Sequence, residues 1–112
     1  MSLFKIRREV MQALDAHARA TFHHRVFVGL WESQPETCAA LGEERVRDEI
    51  DRGVQKAIGY AIFEESDIER FLEMLFKHGF DFDVHNAWAR RVLNNRKLGG
   101  AVKIGFLDEM VG

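Results

Sequence analysis

Cysteine occurs once and proline once among the 112 residues. With Cys38 alone no internal disulfide can form, which suits a reducing compartment. Nowhere do eighteen uncharged apolar residues run together, so no membrane span and no membrane partner are expected. The first residues, Met1 to Glu9, lack the apolar core of a signal peptide, and the resulting expectation is cytoplasmic residence. Linkers, repeats and low-complexity tracts are missing too, which leaves one domain over residues 1–112. What remains is ordinary globular composition, 46% hydrophobic and 30% charged. A chain of this size buries roughly 65% of its unfolded surface, enough for a core without metal or disulfide support.

Charge of one sign is scarce overall but not locally. Residues 1–35 hold five Lys/Arg against three Asp/Glu, residues 36–73 five against eleven, and residues 74–112 six against four, for a net charge of −2. An acidic middle between mildly basic ends argues against general nucleic-acid binding, which needs a clustered basic face. It suits a surface that meets a basic partner.

Apolar residues four apart recur twice, without strand-like alternation of comparable length. Ile6, Val10, Leu14, Ala18, Phe22, Val26 and Leu30 form one row, and Val46, Ile50, Val54, Ile58 and Ile62 form another. Residues i and i+4 share a helix face, so the chain reads as all-α. The first helix is expected to start near Phe4 to Arg8 and reach Ser33, stopped by Pro35. Each i+4 step overshoots a full turn by about 40°, so the whole row cannot face one straight partner. The bulkier second half, Phe22 to Trp31, is expected to be the more buried.

Further elements follow from local signals. Glu36–Leu41 reads as a helical turn ended by Gly42, and Glu43–Ile58 as the second main helix, in which Gly53 marks a close crossing and after which Gly59 marks a stop or kink. Ser66-Asp67-Ile68-Glu69 fits a capping box opening a third helix, ended by Lys77-His78-Gly79. Phe80–Val84 reads as a connection, and His85 or Asn86 caps a helix through Asn95 presenting Trp88, Val92 and Leu93. In the tail, Ala101, Val102, Phe106 and Met110 favour a helix, because a lone strand over Val102–Phe106 would lack a partner. The expected fold is a compact bundle of about five helices with a long N-terminal helix.

Gly59-Tyr60-Ala61-Ile62, Glu65-Ser66-Asp67-Ile68, Phe71-Leu72, Phe76, Gly79, Phe82-Asp83 and Trp88-Ala89 carry a likeness that Phe22, Arg25, Pro35 and Cys38 to Gly42 extend toward the N-terminus. In these residues the chain resembles small uncharacterised proteins encoded beside type VI secretion spike and PAAR-type cargo genes in proteobacteria. That resemblance implies an accessory role as adaptor, chaperone or immunity protein. It supplies no catalytic residues.

Chemical signatures are sparse. His17 and His24 lie two helical turns apart, too far to share one zinc ion. Asp81, Asp83 and His85 would lie on one side of an extended segment and supply donors for a metal or acid/base site, although Asp and His in such connections commonly form turns and caps. Cys38 sits before Ala39-Ala40-Leu41 in a setting that suggests burial. Ser33 and Ser66 lack the nucleophile elbow, and Gly99-Gly100 with Lys103 lacks phosphate-loop spacing. Arg90, Arg91, Arg96 and Lys97 near Trp88 read as a solvated rim around a buried tryptophan.

Two surfaces stand out for protein contact. Glu44, Asp48 and Asp51, with Gln55, form an acidic stripe able to steer a basic partner. Trp31, Phe63, Phe80 and Phe82 sit near helix ends, where exposed aromatics serve as interface anchors and equally allow a homodimer. The expectation is therefore a non-catalytic protein-interaction module whose partner is another protein, a secreted effector, toxin or spike component. It carries no catalytic, metal or cofactor site and takes no nucleic acid. A small enzyme or metal-binding protein using Asp81, Asp83 and His85 is the alternative, and nucleic-acid binding ranks below it.

Overall fold

In a computed structural model of the chain, residues 16–111 are described. Seven helices run through them, α1 (Ala16–Ser33), α2 (Pro35–Leu41), α3 (Glu43–Gly59), α4 (Glu65–His78), α5 (Phe82–His85), α6 (Ala87–Leu93) and α7 (Gly100–Val111), and no strand occurs among the described residues. The all-α expectation holds. The count of about five does not, because the Phe80–Val84 connection closes a helical turn of its own and the shorter pieces add up. The expected start of the first helix near Phe4 to Arg8 lies outside the described residues, as do Ile6, Val10 and Leu14.

α1 runs unbroken through Thr21–His24 and buries Phe22, Val26 and Leu30. These three members span two i+4 steps, about 80° of drift, which fits within an apolar stripe of ordinary width. Pro35 then occupies the first turn of α2, where its missing N–H is no loss, and Gln34 breaks the backbone between the two helices. Cys38 is fully buried, and burial pushes its thiol pKa up. Gly42 ends α2 at φ +88°, a conformation that leaves no comfortable place for a β-carbon, and α3 begins at the next residue.

α3 buries Val46, Ile50, Gly53, Ala57 and Ile58. The expected close crossing at Gly53 is present, since a β-carbon there would sit 2.2 Å from Leu72 Cδ2 and 3.1 Å from Leu75 Cδ1 of α4. The helix stops at Gly59 as expected, with Tyr60 as its C-cap. Ile62 N–H donates to Ala57 O at 2.8 Å and Ala61 N–H to Ile58 O at 3.0 Å, the paired bonds of a Schellman motif, and Ala61 holds its left-handed position at φ +65°.

α4 is the centre of the bundle, packing against α1, α3, α5 and α7. Its Ile68, Phe71 and Leu72 are wholly buried, each worth about 1.5–3 kcal/mol of apolar transfer. The expected capping box does not form. The helix opens at Glu65 after an extended Glu64 whose side chain makes no cap, so Ser66 lies inside the first turn. Glu69, freed from that duty, pairs with Arg25 of α1 at 2.6 Å, and Glu65 joins it at 3.1 Å. Gly79 ends α4 at φ +116°, as its sequence position suggests. Asn86 caps α6, its side-chain oxygen accepting from Ala89 N at 3.0 Å.

α7 packs on α4 and α6 through Ile104 and Leu107, both fully buried. Its start is pressed against the α3–α4 turn: a β-carbon on Gly100 would lie 3.2 Å from Ala61 O and from Ile62 Cα. This close approach brings the two turns together and creates the cleft described below.

Candidate functional site

Lys56 and Tyr60 lie one turn apart on α3 and therefore share a face. That face meets α5. Lys56 Nζ donates to Asp83 Oδ1 at 3.0 Å and to Phe80 O at 2.7 Å, and the Tyr60 hydroxyl donates to Asp83 Oδ2 at 2.6 Å. Both carboxylate oxygens of a side chain only 1% exposed are thus satisfied by strong donors. Burial first, then the bond to Asp83, pushes the Tyr60 pKa well above the usual phenol range. Such a clamp fixes the connection between α4 and α6; it offers no open oxygen for chemistry.

On the other side of Tyr60, its backbone carbonyl accepts from Lys103 Nζ at 2.8 Å. Lys103 is 3% exposed, and burial pushes its pKa down. It lines an open cleft of about 950 Å³ between the α3–α4 turn (Gly59 to Ala61, Phe63) and the stretch from Leu93 to Gly100. Arg96 and Lys97 sit on its rim, both exposed, and no Asp or Glu lines it.

α7 supplies a different surface. Val102, Phe106 and Met110 are 48%, 43% and 62% exposed, respectively. They stand at i, i+4 and i+8 and so form one stripe along the helix. The expectation that Val102, Phe106 and Met110 mark a helix is met, but the face that meets the core is the one carrying Lys103, Ile104 and Leu107.

Residues expected to serve a site fall as follows. Asp81, Asp83 and His85 are not brought together as a ligand set: the segment is a helical turn rather than extended, Asp83 is buried in its clamp, and Asp81 and His85 are exposed. Among the described residues no group of three or more His, Cys, Asp or Glu is placed to hold a metal ion. Phe82, expected as a surface anchor, is 8% exposed and belongs to the core, with its ring 6.3 Å from that of Phe71. Phe80 is half-buried edge-on to Phe76 at 4.9 Å. Trp31 is half-buried beside Phe27, its indole Nε1 enclosed without a hydrogen-bond partner among the described residues. These aromatics are spent largely on packing, because helix ends in so short a bundle lie over the core rather than beyond it.

The acidic stripe remains on the surface. Glu44 and Asp48 are exposed and enter no ion pair among the described residues, whereas Asp51 receives His23 Nε2 of α1 at 3.1 Å. Arg90, Arg91, Arg96 and Lys97 are all exposed, around a half-buried Trp88. The sequence reading passed over Lys56, Tyr60 and the exposed face of α7. The signal for the last was available, since apolar residues occur on both sides of α7.

No protein-family model matches the chain, nor does any curated protein or solved structure. Among the described residues, no helix is long and apolar enough to cross a membrane.

Proposed function

We propose that this chain is a non-catalytic protein-interaction module, an adaptor, chaperone or immunity protein serving a type VI secretion or toxin system. The observation that carries the interaction reading is the exposed stripe of Val102, Phe106 and Met110 on α7. A helix apolar on both faces belongs in an interior, and a large apolar face left on a surface is a place where another protein docks. Methionine at its end suits a surface that adapts to its partner. The secretion context rests on the residue resemblance alone.

The partner in this reading is another protein, and the exposed Glu44 and Asp48 on α3 add acidic charge for long-range steering. The chain carrying an affinity tag, expressed in its native organism, captures that partner, identified by mass spectrometry. Phe106→Asp with Met110→Lys abolishes capture while helicity by circular dichroism is unchanged. An identical captured set from the double variant refutes the reading.

A further inference from the structure

The geometry points to a second site: the cleft between the α3–α4 turn and α7 binds the terminal phosphate of a small phosphomonoester, held by Lys103, Arg96 and Lys97. This goes beyond the protein-docking reading and uses none of its side chains.

The first argument is an uncompensated buried charge. Lys103 is almost wholly enclosed, yet its ammonium has one neutral acceptor, the Tyr60 carbonyl, and enters no ion pair among the described residues. An ammonium carries three donors, and burying one without a counter-ion is costly. The contrast lies within the same molecule, where Lys56, less buried at 22% side-chain exposure, is paired with the Asp83 carboxylate. A methionine or leucine would fill the Lys103 position more cheaply if packing were all that mattered.

The second argument is the lining. Among the described residues Arg96 and Lys97 enter no ion pair and no carboxylate lines the cleft, so three cationic side chains border one space. The first bond of the α7 ladder runs from Lys103 N to Gly99 O, which leaves the amides of Gly100, Ala101 and Val102 ahead of it. Gly99 keeps the approach open, since a β-carbon there would meet nothing within 4 Å. Gly100 is explained by its contact with the α3–α4 turn; Gly99 is not, and its bareness leaves the main chain accessible. A monoester near pH 7 brings about two negative charges and three acceptor oxygens, which suits this set of donors better than a carboxylate or a singly charged diester.

Burial alone lowers the Lys103 pKa. A bound dianion reverses that direction.

The test is a titration of the full-length, isotopically labelled chain followed by amide NMR shifts, with phenyl phosphate, dimethyl phosphate and acetate at matched ionic strength. Phenyl phosphate is expected to shift the amides of Gly99 to Val102 saturably, with the other two at least about tenfold weaker. Lys103→Met weakens phenyl phosphate binding by about tenfold or more, and the rim double variant Arg96→Gln with Lys97→Gln does the same. The rim variant touches only exposed side chains, so it decides the matter even if Lys103→Met fails to fold. Absence of saturable shifts, equal binding of dimethyl phosphate or acetate, or full affinity in the rim variant overturns the proposal.

Discussion

The Tyr60 hydroxyl lies 2.6 Å from Asp83 Oδ2, so a residue at the end of α3 holds a buried carboxylate on α5 that is 23 positions away in the chain. Lys56 takes the other oxygen, and Asp83 therefore pins the connection beneath α4 rather than serving as a reactive acid. Asp83→Ala leaves Lys56 with only the Phe80 carbonyl and the exposed Asp81 at 3.5 Å, and breaking the buried pair is expected to cost up to about 3–5 kcal/mol in urea unfolding. Tyr60→Phe removes one bond to a charged acceptor and costs less, about 1.5–3 kcal/mol. A stable, well-folded Asp83→Ala protein would return the segment to the list of candidate catalytic groups.

Alkali reads the same bond. Tyr60 is the single tyrosine, so absorbance near the phenolate band follows it alone. Its folded pKa is raised, first by burial and then by Asp83, whereas an unfolded tyrosine titrates at about 10. Above that pH the unfolded chain has released a proton that the native one retains, which makes the unfolded state bind fewer protons and native stability fall as pH rises. The stabilisation is complete below about pH 10 and lost above it. Phenolate is therefore expected to appear only together with loss of helicity, and Tyr60→Phe flattens the alkaline decline. Ionisation near pH 10 in a chain that remains helical would contradict the enclosed bond.

Gly53 tests the crossing of α3 and α4. Leu72 Cδ2 stands 2.2 Å from where an alanine β-carbon would be, and Leu72, fully buried with Leu75 behind it, has little room to withdraw. Overpacking costs typically about 1–3 kcal/mol, and alanine returns about 1 kcal/mol of helix propensity. Gly53→Ala is thus expected to be net destabilising by up to about 2 kcal/mol, and Gly53→Val more so, measured by thermal or urea unfolding.

Ala61 offers the opposite sign. It holds the left-handed position of the Schellman motif without being glycine. The strain there is about 1–2 kcal/mol, part of which glycine gives back as unfolded-chain entropy. Ala61→Gly is expected to stabilise by about 0.5–1 kcal/mol, read from the urea midpoint.

Much of the fold was legible because its signals are local. Pro35, Gly42, Gly79 and Asn86 act within a residue or two of the backbone bonds they end or cap, and each stands where the reading placed it. The errors share one cause, competition from distance. Ser66-x-x-Glu69 is a sound capping pattern, but Arg25 lies 44 residues from Glu69 and claims its carboxylate. Gly59 does end α3, but the left-handed position of its cap falls on Ala61, whose neighbour Ile62 is buried. Phe82 was an ambiguous aromatic until α4 supplied the ring it packs against.

The one-dimensional pattern was enough to establish an all-helical chain, the placing of α3, and the pressure of Gly53 on a neighbour, because a 3.6-residue period and the size of a side chain are properties of the residues themselves. Which face of α7 turns inward, and the meeting of Lys103 with Tyr60 across 43 residues, emerged only when separate helices packed. Burial is a relation between elements: the same apolar letters are core on one side of α7 and surface on the other, and the difference lies in what α4 and α6 cover.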